Sequence, residues 1–103
     1  MPRDRSHCVY ILASAARGTI YIGVTSDLPG RLYMHRHGIT GGFVSRYRVY
    51  RLVYFEMAES MDSAIVREKQ LKRWHREWKL NLIERQNPEW EDLAPALGIA
   101  ERL

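Results

Sequence analysis

The run His7-Cys8-Val9-Tyr10-Ile11-Leu12-Ala13, followed by Ile20-Tyr21-Ile22-Gly23-Val24, decides the fold. Both runs are β-branched and aromatic, and the six residues between them include Arg17 and Gly18, so they predict two antiparallel strands joined as a hairpin. Alternation puts Tyr21 and Gly23 on one face of the second strand, and in the first it points Tyr10 away from Val9 and Ile11. One tyrosine from each strand can therefore share a face.

Downstream, Thr25, Ser26 and Asp27 are all good N-cap residues, Pro29 suits a first helical turn and Gly38 is a natural stop. A helix of about ten residues follows the hairpin on these signals, and Arg31 and His35 stand one turn apart on it. Residues 39–51, with Gly41 and Gly42, read as a basic loop, and Leu52-Val53-Tyr54-Phe55 as a third strand. Ser60 or Asp62 can cap a longer helix running to about Arg85 and ended by Asn87-Pro88.

At about 100° per residue, Met61, Ala64, Leu71, Trp78 and Leu82 of that helix fall on one side, with Ile65 at the far edge. Glu68 projects among them. Lys69, Lys72, Arg73 and Arg76 form a basic ridge on the next sector, and Trp90, Leu93 and Leu97 belong to a small cap. The expected architecture is α+β, a small three-stranded antiparallel sheet flanked by helices, in a single domain over 1–103. Its core covers about 7–86 and its C-terminal cap 87–103.

At 103 residues with 46% apolar or aromatic content, the chain can bury roughly 60–70% of its unfolded surface without a disulfide or structural zinc. The lone Cys8 rules out an internal disulfide framework, and no 18-residue apolar stretch exists. A protein of the reducing cytoplasm with no membrane span is expected. HExxH, GxSxG, Walker and GxGxxG patterns are absent, and Cys8 has no evident activating base.

The formal charge is +4, but its distribution is more informative than its sum. No acidic residue lies between Asp27 and Glu56, whereas Arg31, Arg36, Arg46, Arg48 and Arg51 fall inside that interval among Tyr33, Phe43, Tyr47 and Tyr50. Cations interleaved with aromatics suit phosphate contact and base stacking. A solvated charged face over core aromatics is the other reading. On the first, Arg36, Arg46, Arg48, Lys69, Lys72, Arg73 and Arg76 are candidate nucleic-acid contacts.

A carboxylate on a buried stripe costs several kcal/mol unless it is paired, hydrogen-bonded or bound to a metal. Glu68 is either in an ion pair with Lys72 or Arg31, or a ligand for one divalent cation. The other acids are better explained as caps or first-turn charges, so a two-metal centre, which needs several converging carboxylates, is not expected. One Mg²⁺ or Mn²⁺ per site, keeping most of its water, matches a single Glu.

A tyrosine general base faces an energetic difficulty, because at a pKa near 10 only about one phenol in a thousand is ionised at pH 7. A downward shift of about two units, supplied by Arg31 or a hydrated cation, would raise that to about one in ten. Taken singly, Tyr10 and Tyr21 read equally as strand residues, and His35 as a surface helix residue.

Together, Val9-Tyr10-Ile11, Tyr21-Ile22-Gly23, Arg31, His35 and Glu68 within Ala64–Lys72 resemble the GIY-YIG nuclease superfamily, in particular its small stand-alone bacterial members. The likeness runs from Tyr10 to Trp90. It implies a metal-dependent endonuclease that hydrolyses nucleic-acid phosphodiesters, DNA before RNA, with one divalent cation. It also implies that Tyr10 and Tyr21 activate and orient water, Arg31 stabilises the phosphoryl transition state, His35 stands beside it and Glu68 holds the metal. Gly23 would permit close approach of backbone or substrate. Asn81 and Asn87 are both counterparts of a late asparagine that assists the site, and Asn87 is equally explained as a helix end before Pro88. The first motif departs from the pattern, reading Cys8-Val9-Tyr10 in place of Gly-Ile-Tyr. A nucleic-acid-binding module with little turnover is the alternative, and a structural domain whose tyrosines and Glu68 satisfy one another is a third.

Overall fold

A computed structural model describes residues 6–39 and 42–99. Gly41 of the expected loop and residues 100–103 of the expected cap lie outside the described residues. Strands β1 (Cys8–Ala13), β2 (Ile20–Thr25) and β3 (Arg51–Met57) form an antiparallel sheet in the order β2-β1-β3, with Tyr10 opposite Gly23 on one side and Phe55 on the other. The helices are α1 (Leu28–Arg36), α2 (Gly42–Tyr47), α3 (Met61–Arg73) and α4 (Arg76–Gln86). The α+β class and the three-stranded sheet agree with the expectation.

β1 is buried at every position because it is central and covered on both faces. Val9, Ile11 and Ala13 pack in one cluster with Ala64 and Leu71 of α3 and Leu80, Leu82 and Ile83 of α4. Cys8, Tyr10 and Leu12 pack in the other with Leu28 and Leu32 of α1 and Val44 of α2, and Tyr21 joins this second cluster from β2. The alternation that separates Tyr10 from Val9 and Ile11 thus sorts the strand between two cores.

α1 begins as expected: the Asp27 side chain accepts from the Gly30 amide, Pro29 lies in the first turn, and Gly38, at φ 70, turns the chain just beyond the end. Two expectations fail. Part of the basic loop is helical, because Val44, 2% exposed, anchors the short α2 in the core beside α1. The long helix is two helices, since Trp74 and His75 are both extended, with ψ near 150°.

That break re-phases everything after it. α4 buries Leu80, Leu82 and Ile83, and Trp78, expected on the apolar stripe, is 55% exposed. Arg76 leaves the basic ridge and instead donates to the Arg17 and Gly18 carbonyls at 2.7 Å, fastening α4 to the β1–β2 turn. Arg17 strengthens the same joint through Glu77 and Glu84. Behind β3, the Leu93 amide donates to the Leu52 carbonyl, and Trp90 is almost fully buried.

Candidate active site

β2 is an edge strand, α1 leaves its C-terminal end, and α3 packs against β2 and β1. Residues from four elements meet along this edge. The rings of Tyr10 and Tyr21 lie 6.3 Å apart, and His35 is within 5.9 Å of the first and 5.5 Å of the second. Arg31 and Glu68 are both near enough to act on the ionisation of Tyr10. Tyr10, Tyr21, Arg31, His35 and Glu68 therefore occupy one neighbourhood.

The two tyrosines are not equivalent. Tyr10 is 1% exposed, and its Oη lies 2.9 Å from Nε2 of His35. Burial, followed by Tyr21, pushes the Tyr10 phenol well above the ordinary range, outweighing the opposing pull of Arg31. The downward shift expected for a tyrosine base is thus reversed at Tyr10, because desolvating a phenolate in an apolar cluster costs more than one guanidinium returns. His35 is also buried, and desolvation together with Arg31 lowers its pKa. A neutral imidazole has one donor and one acceptor nitrogen, so its tautomer sets which partner donates in the bond to the Tyr10 hydroxyl.

Tyr21 is half-buried and lines an opening of about 310 Å³ with Ile20, Ile22, Phe43, Lys72 and Lys79. It is the phenol with access to a ligand. Lys79 is absent from the sequence-derived set, and Phe43 entered it only as one of the aromatics interleaved with arginines. Lys79 lies beyond the break at Trp74 and His75, so helical spacing from Lys72 does not place it there, and Phe43 is brought to Tyr21 only by the unanticipated α2.

Glu68, with a side chain 16% exposed, forms its ion pair with Lys72 at 3.0 Å. Of the two partners open in the sequence, Lys72 is the one engaged. Among the described residues no group of three or more His, Cys, Asp or Glu side chains is arranged to hold a metal. Glu68, the one carboxylate near Tyr10, is of the oxygen-donor type that a hard cation takes, and Lys72 now occupies it.

Several other sequence candidates have internal roles. The Arg36 side chain is 3% exposed, pairs with Asp92 at 3.0 Å and donates to the Tyr50 carbonyl, so it holds the chain around residue 92 against β3 and is withdrawn from any surface ligand. Asn87 caps α4, and its amide donates to the Val53 and Glu91 carbonyls while its oxygen accepts from the Glu91 amide. These are the bonds of a helix end. Gly23 leaves room for the Tyr10 ring, which a side chain there would meet. Lys69, Arg73, Arg46, Arg48 and Asn81 are exposed. Burial raises the Cys8 thiol to about 11, in keeping with an inert cysteine.

The GIY-YIG catalytic domain model matches residues 6–81, a span that takes in both strand motifs, α1 and Glu68. The chain belongs to the GIY-YIG family. It is 36% identical to UPF0213 proteins of Staphylococcus aureus strains Mu3 and N315, over 76% of this chain and 94% of theirs. The solution NMR structure of the UPF0213 protein BH0048 from Bacillus halodurans superposes with a TM-score of 0.52 at 31% identity, covering 84% of this chain and 92% of that one. This GIY-YIG domain is of a nuclease type, which implies nucleic-acid binding. No helix among the described residues is long and apolar enough to cross a membrane.

Proposed function

We propose that the chain is an endonuclease that hydrolyses nucleic-acid phosphodiesters, DNA in the first instance, with one Mg²⁺ or Mn²⁺ at Glu68. The observation that carries this reading is the gathering of Tyr10, Tyr21, Arg31, His35 and Glu68 from four elements at one sheet edge. Such a set has little structural economy, since a guanidinium, an imidazole, two phenols and a carboxylate each demand partners.

Tyr21 meets the attacking water and, in its phenolate form, takes a proton from it as the bond to phosphorus forms, while the bond from phosphorus to the 3′ oxygen breaks and that oxygen takes a proton from solvent water. Tyr10 is a positioning residue, its buried hydroxyl bonded to His35 beside Tyr21. Arg31 supplies fixed positive charge for the charge that builds on the phosphoryl oxygens. A divalent cation at Glu68 would supply Lewis-acid polarisation of the same group. Lys72, displaced from the carboxylate, is then free to pair with a neighbouring phosphate.

The test is cleavage of single-stranded, duplex and branched DNA, and of RNA, with Mg²⁺, Mn²⁺ or a chelator. Divalent-dependent products with 5′-phosphate and 3′-hydroxyl ends are expected, with a loss of about 10²-fold or more in Glu68→Ala and Tyr21→Phe. Equal cleavage by wild type and Glu68→Ala overturns the reading. The Lys72–Glu68 pair favours a second one, a binding module with little turnover, because it satisfies the carboxylate without a metal. Salt-dependent binding with no cleavage of any substrate selects that alternative.

A further inference from the structure

We infer that the opening between β2 and α2, floored by Tyr21 and Phe43 and edged by Lys72 and Lys79, accepts one unpaired nucleobase of the strand to be cut, so that the substrate is single-stranded or splayed at that point. This deepens the endonuclease reading and rests on it for the position of the cut.

α2 exposes its aromatics where an ordinary surface helix would bury them. Phe43 is 46% exposed and Tyr47 is 47% exposed, with ring centroids 4.8 Å apart, and Tyr21 lies 6.3 Å from Phe43 on the other side. The three rings form a row that runs from the proposed catalytic phenol out to solvent. Val44 alone fastens this helix to the core, so burial does not account for Phe43 and Tyr47. The space beside the row is about 310 Å³, with Ile20 and Ile22 as its apolar wall. That is the low end of the small-ligand range, enough for one base and its sugar and too small for a duplex.

The surrounding charge identifies the occupant. Lys79 and Lys72, the latter paired with Glu68, line the opening, and Arg46 lies 5.6 Å over the Tyr47 ring, so cations stand beside the apolar rings. No acidic residue occurs between Asp27 and Glu56 to oppose a polyanion on the α1–α2 side. An apolar peptide would have no use for these cations, whereas a strand offers a π-face to the rings and phosphates to the lysines. A base inside a duplex has its faces covered by its neighbours, so only an unpaired one can enter.

The experiment measures binding by fluorescence anisotropy in a chelator, where no cleavage occurs. The probes are oligothymidylate of about twelve nucleotides and a strand of equal length built of abasic residues, identical in phosphate charge. Wild type should prefer the thymidylate by roughly five- to 150-fold, the range for one stacked base. Phe43→Ala and Phe43→Leu should both lose most of that preference with unchanged affinity for the abasic strand. Lys79→Ala should weaken both strands alike and lessen the salt dependence. Equal binding of the two strands by wild type, an undiminished preference in the Phe43 variants, or no binding of either strand overturns the inference. Cleavage by wild type without base preference retains the nuclease and removes the base site; base preference without cleavage does the reverse.

Discussion

The Tyr10 phenol occupies the space that a side chain at Gly23 would need. The two residues are register partners across β1 and β2, and a β-carbon built on Gly23 lies 2.6 Å from the Tyr10 Oη and 2.7 Å from its Cζ. The glycine of the second motif is thus a mould for the tyrosine of the first. Because the ring is held in a closed cluster with its hydroxyl on His35, it cannot swing aside without breaking that bond.

Gly23→Ala should accordingly destabilise the fold by about 1–3 kcal/mol through overpacking. Chemical denaturation checks the stability. Cleavage by the folded fraction should also fall, since Tyr10 and His35 move together. Wild-type stability in Gly23→Ala would show that the ring relocates freely.

The Tyr10–His35 bond predicts a pH dependence. His35 has a pKa lowered below 6.5 in the folded chain by burial and by Arg31, so as pH falls the unfolded chain takes up this proton first. Its contribution is fully present above about pH 6.5, is lost as pH falls from there to the folded-state pKa, and then levels off. Denaturation midpoints measured through that window should fall less in His35→Gln, which can still hydrogen-bond to Tyr10 but cannot titrate. His35→Ala should cost about 1–3 kcal/mol at neutral pH by leaving a buried hydroxyl unpaired.

Lys72 is expected to hold the metal off Glu68. Its side chain is 52% exposed, so Lys72→Met should alter stability by no more than about 1 kcal/mol. Manganese binding followed by electron paramagnetic resonance should nevertheless tighten by about two- to fivefold, the equivalent of one such pair, and should vanish in Glu68→Gln. Unchanged manganese affinity in Lys72→Met would mean that the ion does not use this carboxylate.

Asn87 separates support from catalysis. Its side chain makes three hydrogen bonds that join the end of α4, β3 and the segment after Pro88. Asn87→Ala should lower stability by about 1–3 kcal/mol, yet leave the cleavage rate per folded molecule within about twofold. A large fall in that rate with little loss of stability would return Asn87 to the site.

The parts legible in the sequence are those with local causes. Alternation of period two separated Tyr10 from Val9 and Ile11, a cap and a proline began α1, and one helical turn put Arg31 and His35 on a shared face. Glu68 drew attention because a carboxylate on an apolar stripe needs a partner. α2 was hidden because its helix depends on Val44 reaching a core built by other segments, and glycines at its start read as loop. The break at Trp74 and His75 carries no proline or glycine, so only the docking of α4 on the sheet marks it.

By itself the sequence determined the β1–β2 hairpin, the family and the identity of the five clustered side chains, since these follow from spacing and residue type. Tertiary structure alone decided what each charge does. Arg36 is spent on Asp92, 56 positions away, and Arg76 on the turn at Gly18, while Phe43 arrives beside Tyr21. A guanidinium or a phenol has the same chemistry anywhere in a chain, but its ionisation and its partner are fixed by desolvation and by the groups that face it, and those are set only when distant segments pack.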